Sequence, residues 1–197
     1  TLIIVKALYG LRSSGKRFNE RISDTLRDIG FWPSYADSEV WMREHNGHYE
    51  YVCLYVDDLA VMAENPSDVY KMLREVGKYK LREEEGISYH IGGDFFRDPD
   101  GTLCYGAKTY IKRMLANYER MFGTMPKEYN SPLDAGDHPE LDTSEFLDDD
   151  GIKKYQSIIG ALQWAVSLCR YDINCAVMTM GRFRTAPRKG HLERLKR

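Results

Sequence analysis

Tyr51-Val52-Cys53-Leu54-Tyr55-Val56-Asp57-Asp58-Leu59-Ala60-Val61-Met62 is the stretch that decides how this chain is read. Two β-prone runs flank two adjacent carboxylates, which predicts a tight hairpin over 49–62 with the acids at its tip. Two carboxylates about 5 Å apart repel by about 3 kcal/mol at an effective dielectric near 20. A divalent cation turns that repulsion into attraction, and hard cations take oxygen ligands. The competing reading is a solvated turn, because Asp is common turn punctuation. A turn chosen for geometry alone favours Asn-Gly or Asp-Gly, and no glycine occurs between Tyr49 and Glu64.

Working outward, three further phrases accompany the hairpin. Lys6-Ala7-Leu8-Tyr9-Gly10-Leu11-Arg12-Ser13-Ser14 precedes it. Tyr155-Gln156-Ser157-Ile158-Ile159-Gly160-Ala161-Leu162 follows, and then Arg170-Tyr171-Asp172-Ile173 with Ala176-Val177, Arg182-Phe183, His191 and Lys196-Arg197. Together with the Tyr-Val-Asp-Asp box these resemble, in order and spacing, the polymerase of copia-type retrotransposons, a reverse transcriptase. The resemblance runs from residue 6 to residue 197. One four-residue box is weak evidence and four in register are strong.

The resemblance implies an α+β fold. A partial polymerase palm, an antiparallel sheet with helices on one face, is followed by a helical thumb and connection. The palm would span 1–106, a thumb-like helix 107–130, an acidic loop 131–152 and the connection 153–197. It implies template-directed nucleotidyl transfer to a primer 3′-hydroxyl with two metal ions, Mg²⁺ or Mn²⁺. Asp57 would be the direct ligand and Asp58 the supporting acid. Tyr55 and Val56 would lie beneath the primer terminus and Tyr9 and Gly10 beside the incoming nucleotide. Ile91 and Gly92 would form a primer grip, and Lys108, Lys112 and Arg113 a surface that tracks the duplex. The implied partners are an RNA template, a DNA primer, deoxynucleoside triphosphates and the fingers and ribonuclease H segments of the Pol polyprotein. The implied location is intracellular, in a cytoplasmic virus-like particle or the nucleus.

Some residues depart from the family pattern. The family places a third carboxylate upstream of the Tyr-Gly-Leu phrase, whereas the first acid here is Glu20. The expectation is a fragment without that ligand, without fingers and without ribonuclease H, inactive in isolation. Gly15 stands where the family has proline and Ala107 near a usual Gln, as in a decayed copy.

Several positions keep a plainer reading. Gly10 also suits a simple turn, and Tyr55 simple core packing. Arg12, Lys16, Arg17 and Arg21 form like-charged pairs four residues apart, which an anion such as a triphosphate or template backbone would stabilise. Solvation beside Glu20, Asp24 and Asp28 is the alternative. Gly92-Gly93 also suits a β-bulge, and any single Lys of the thumb-like surface can be merely solvated.

The bulk properties agree with a globular domain of 197 residues, 43% hydrophobic and 29% charged, with net charge −2. No segment approaches the ~20 apolar residues of a membrane span, and no membrane partner is expected. Cys53, Cys104, Cys169 and Cys175 match no zinc spacing and read as buried reduced thiols. Residues 131–152 carry eight acids and no Lys or Arg, whereas the tail from Arg182 is basic. The acidic stretch reads as a solvated loop and the tail as a phosphate-facing surface or an exposed helix face.

Periodicity predicts the elements. A strand end covers 2–5. A helix capped by Ser14 carries Phe18, Ile22, Leu26 and Ile29 and stops at Gly30. Residues 31–41 read as irregular, with Pro33 breaking them. A second helix starts at Asn65-Pro66. Runs 89–96 and 103–105 flank the turn Asp98-Pro99-Asp100-Gly101. Further helices are marked by Ile111 to Tyr118, by Tyr155 to Leu162, by a start capped at Asp172 and closed by Pro187, and by a basic run from Lys189. Strands with interleaved helices and a helical end independently suggest α+β.

Two functional readings follow, the polymerase fragment and a non-catalytic remnant that binds nucleic acid or protein. A stand-alone hydrolase on Asp57 and Asp58 lacks a nearby His and an evident third ligand.

Overall fold

Helix α1 (Ser14–Asp28) is amphipathic, and its Ile22 and Leu26 are wholly buried one turn apart. The computed structural model describes residues 10–82 and 86–197. The strand expected over 2–5 and the site residue Tyr9 lie outside the described residues. The chain divides into two units, Thr1–Ile87 and Ser88–Arg197. The fold is α+β, with two antiparallel sheets and six α-helices among the described residues.

In the first unit, α1 begins at the residue expected to cap it, one position early. Ser13, not Ser14, is the N-cap, and its side chain makes no capping bond. Strands β1 (Trp32–Pro33), β2 (Val40–His45), β3 (His48–Tyr55) and β4 (Asp58–Met62) form one sheet in that order. The stretch 31–41, expected to be irregular, therefore contributes β1 and the start of β2. Pro33 is tolerated because β1 is an edge strand. Asn46 and Gly47 join β2 to β3 at φ 51° and 80°, the two left-handed residues of a type I′ turn. That dipeptide is the strongest short-range hairpin signal a sequence can carry.

Period-two alternation sorts β3 into two faces. Val52 and Leu54 pack with Trp41, with Ile22 and Leu26 of α1, and with Val69 and Leu73 of α2 (Pro66–Gly77). Arg43 and Glu50 form a buried pair at 2.5 Å, and Arg43 also donates to the Ile29 carbonyl at 2.8 Å. These bonds satisfy charges that burial would otherwise make costly. Tyr49, Tyr51, Cys53 and Tyr55 alternate onto the other face. Arg21 donates to the Gly77 carbonyl at 3.1 Å, so it closes the end of α2.

In the second unit, β5 (Tyr89–His90), β6 (Gly93–Arg97) and β7 (Leu103–Gly106) form a meander. The single strand expected over 89–96 is split at Ile91-Gly92, where φ is 49° and 89°. This is a second two-residue turn of the primed kind, not a bulge. Asp98 and Gly101 make the second connection as expected. Helix α3 (Lys108–Phe122) has no capping side chain of its own. Asp94 of β6 accepts from the Thr109 backbone N–H at 2.8 Å instead, and these Thr109 bonds hold its carboxyl below the usual range.

Helices α4 (Asp149–Leu168), α5 (Asn174–Gly181) and α6 (Lys189–Leu195) pack around Tyr155, which is wholly buried. Its hydroxyl donates to the Met180 carbonyl at 2.7 Å, and burial pushes the phenol upward. Asp172 does not cap α5. It lies in a 3-10 turn over Tyr171–Ile173 and holds Arg170 through two bonds of 2.7 and 2.8 Å.

The acidic segment is largely exposed, as a solvated loop would be, yet it also binds the basic tail. Arg194 donates to Asp142 at 2.5 Å and to both oxygens of Asp137 at 2.8 and 3.0 Å. Lys189 meets Glu145 at 2.5 Å, and Arg197 meets Asp134 at 2.6 Å. Arg188 donates to the Ser144 carbonyl and lies 3.9 Å over the Phe146 ring. Buried His191 bridges the same two segments. Its Nδ1 accepts from the Arg188 N–H at 3.1 Å, which leaves Nε2 to donate to the Pro139 carbonyl at 2.9 Å. The cysteines differ from expectation. Cys53, Cys104 and Cys169 are half-buried and Cys175 is exposed.

Candidate active site

The β3–β4 hairpin closes through a two-residue loop, Val56-Asp57, because Tyr55 pairs with Asp58. The two carboxylates therefore do not share the tip. Asp57 sits in the turn, and Asp58 is the first residue of β4. Both are exposed. Asp58 lies on the Tyr55 face of the sheet, away from the helices, because opposed residues of a ladder share a face. Tyr55 is 50% exposed and Val56 65%, so neither is a core residue.

Val56 has φ 56°. A β-branched residue in the left-handed region is an outlier costing about 1–2 kcal/mol. Such strain gathers at functional sites when the surroundings hold it in place. Here two paired strands anchored by the Val52 and Leu54 core hold it. The two acids are legible in the sequence and this strain is not, since a β-branched valine argues against a left-handed angle. The half-buried thiol of Cys53 shares the Asp58 face, and burial followed by the Asp37 charge pushes it up, away from nucleophilic use.

The donor set suits a hard cation in kind, since both side chains offer carboxylate oxygens. It is short in number. Among the described residues, no group of three or more His, Cys, Asp or Glu could hold a metal ion.

The other expected site residues fall as follows. Gly10 is exposed in a turn at φ 91°, with nothing near the position of an added Cβ. Its backbone angle alone asks for glycine there. Arg12, Lys16 and Arg17 are exposed around the start of α1, and Lys16 meets Glu20 at 3.8 Å. Arg21 leaves that group for the end of α2.

In the second unit, Ile91 and Gly92 form the β5–β6 turn. A Cβ at Gly92 would come within 2.9 Å of Trp164 Nε1 and 3.5 Å of Leu168. The turn is thus seated on α4. Lys108 and Lys112 lie on α3, where Lys108 is exposed near the capped N-terminus. Arg113 is drawn to Tyr89, donating to its hydroxyl at 3.3 Å and lying 5.4 Å over its ring.

Residues 2–128 match the family of reverse transcriptase (RNA-dependent DNA polymerase). The chain is 30% identical over 192 residues to a transposon Ty5-1 protein of Saccharomyces cerevisiae, covering 96% of this chain and 60% of that one. It is 27% identical over 193 residues to the retrovirus-related Pol polyprotein from transposon RE1 of Arabidopsis thaliana, covering 98% of this chain and 13% of that one. It is 25% identical over 200 residues to the corresponding polyprotein from transposon TNT 1-94 of Nicotiana tabacum, covering 97% and 15%. The chain thus spans only part of these relatives' length. No solved structure matches. Because the family match covers well over half of the chain and the Tyr55–Asp58 hairpin lies within it, this protein belongs to the reverse transcriptase (RNA-dependent DNA polymerase) family of copia-type retrotransposons.

Proposed function

We propose that this chain is the palm, thumb and connection portion of a copia-type reverse transcriptase. On this reading it contributes to adding deoxynucleotides to a DNA primer along an RNA template. The observation that carries the reading is the carboxylate pair beside strained Val56, presented on the open end of a core-anchored hairpin. Asp57 and Asp58 would hold Mg²⁺ or Mn²⁺, which when bound supplies charge to acidify the primer hydroxyl and steady the leaving triphosphate. Tyr55 and Val56 would support the primer terminus. Tyr9, Gly10, Arg12, Lys16 and Arg17 would face nucleotide or template. Ile91-Gly92 would grip the primer backbone, and Lys108 and Lys112 would follow the duplex.

The domain boundaries proposed are a palm to residue 106, a thumb helix to 130, the acidic segment to 152 and the connection beyond. The fingers and ribonuclease H of the polyprotein would be its partners, and the work would take place inside the cell. Among the described residues no helix is long and apolar enough to cross a membrane.

The lack of a third ligand among the described residues favours a second reading for the chain by itself, a non-catalytic nucleic-acid-binding remnant. Purified 197-residue protein given a primed RNA template with Mg²⁺ should show negligible extension on either reading, so metal binding separates them. Calorimetric titration of Mn²⁺ is then run on wild type and Asp57→Asn. Heat lost in the variant supports the polymerase site, and identical isotherms support the remnant.

A further inference from the structure

The second unit holds a partly open cavity of about 340 Å³ that the polymerase reading leaves without a role. Its walls come from α3, α4, α5 and α6, and the segment 126–133 lies along its edge as a cover. That size lies within the range of small-molecule sites, about 300–1,000 Å³. Met114, Met121 and Met180 line it. Thioethers adapt to irregular shapes and contact aromatic rings favourably.

The charges at its rim are already matched. Arg170 is held by Asp172 at 2.7 Å, Arg194 by Asp137 and Asp142, and Arg197 by Asp134 at 2.6 Å. A charged ligand would have to break one of these pairs, whereas an uncharged one loses nothing. The cover is built as a strap. No helix or strand occurs between Gly123 and Gly136, and both glycines have left-handed φ, 76° and 73°, with open space around them. The strap is latched at its middle. Arg197 donates to the Ser131 carbonyl at 3.1 Å and lies 4.3 Å over the Tyr129 ring.

We infer that this cavity is a binding site for an uncharged aromatic small molecule, closed by the 126–133 strap and latched by Arg197. The ligand enters when the strap swings on its two glycines, and it leaves at a rate set by the latch.

The test uses the whole 197-residue chain and the uncharged fluorescent probe N-phenyl-1-naphthylamine. Saturable binding of one probe per chain is expected, with shifts confined to the Met114, Met121 and Met180 methyl signals among the eight methionines. Ala161→Trp fills the cavity from α4 and should weaken binding more than tenfold. Ala176→Phe does so from α5 and serves if the first variant does not fold, as judged by near-ultraviolet circular dichroism. Arg197→Met should speed probe release at least fivefold, while Arg197→Lys should partly restore the slow rate. Absence of saturable binding overturns the proposal. So does undiminished binding in a folded filled variant, methyl shifts elsewhere, or release unchanged in Arg197→Met.

Discussion

Tyr55 stands directly opposite Asp58 across the β3–β4 ladder, which makes Val56 and Asp57 the two residues of the turn. The adjacent carboxylates therefore have different supports. Asp58 is held by strand pairing, and Asp57 by a turn whose first residue is strained.

This difference separates the two acids in activity. In a full-length copia-type polymerase carrying this segment, Asp57→Asn should lower primer extension at least about a hundredfold through lost charge stabilisation. Asp58→Asn should cost less. Steady-state extension assays on both variants check the order, and equal losses would contradict distinct roles.

The strain at Val56 should be visible as stability. Val56→Asn suits a left-handed φ of 56° and sacrifices little packing, because Val56 is 65% exposed. A gain of about 1 kcal/mol is expected from urea unfolding. Leu54→Ala, in the core beneath, should cost about 2–4 kcal/mol.

Gly92→Ala should act in the opposite sense. Alanine there meets both an unfavourable φ of 89° and Trp164 Nε1 at 2.9 Å. A loss of about 2 kcal/mol is expected, with altered Trp164 fluorescence reporting displacement of α4 from the turn.

Acid should loosen the acidic segment from α6. The bonds from Ser144, and then the Arg194 pair, lower Asp142 from its ordinary 3.8 to about 2. A depressed carboxyl stabilises the fold fully above its unfolded pKa, and that contribution is lost as pH falls through the folded value. The melting temperature should therefore drop between about pH 4 and pH 2. Asp142→Asn should start lower at neutral pH and show a shallower drop.

Much of the fold is legible because its causes are local. The 3.6-residue spacing of Ile22 and Leu26, and of Tyr155, Ile158 and Ile159, marks buried helix faces whatever the helices pack against. Asn46-Gly47 was equally legible, and reading 31–41 as irregular hid the strand that this turn serves. Ile91-Gly92 was harder. Isoleucine argues against a positive φ, and the close approach of Gly92 to Trp164 and Leu168 is a contact with residues more than seventy positions away.

By itself, the order of residues determined the hairpin with its two acids, the helix faces and the family, since each depends on neighbours within a few positions or on motif spacing. Tertiary structure alone decided the fate of the charges. Asp137 and Arg194 are 57 residues apart and Asp134 and Arg197 are 63, and no periodicity links such positions. Coulomb attraction falls with distance through space, not along the chain, so acid and base runs that look like two solvated surfaces become one joint only when the fold brings them together.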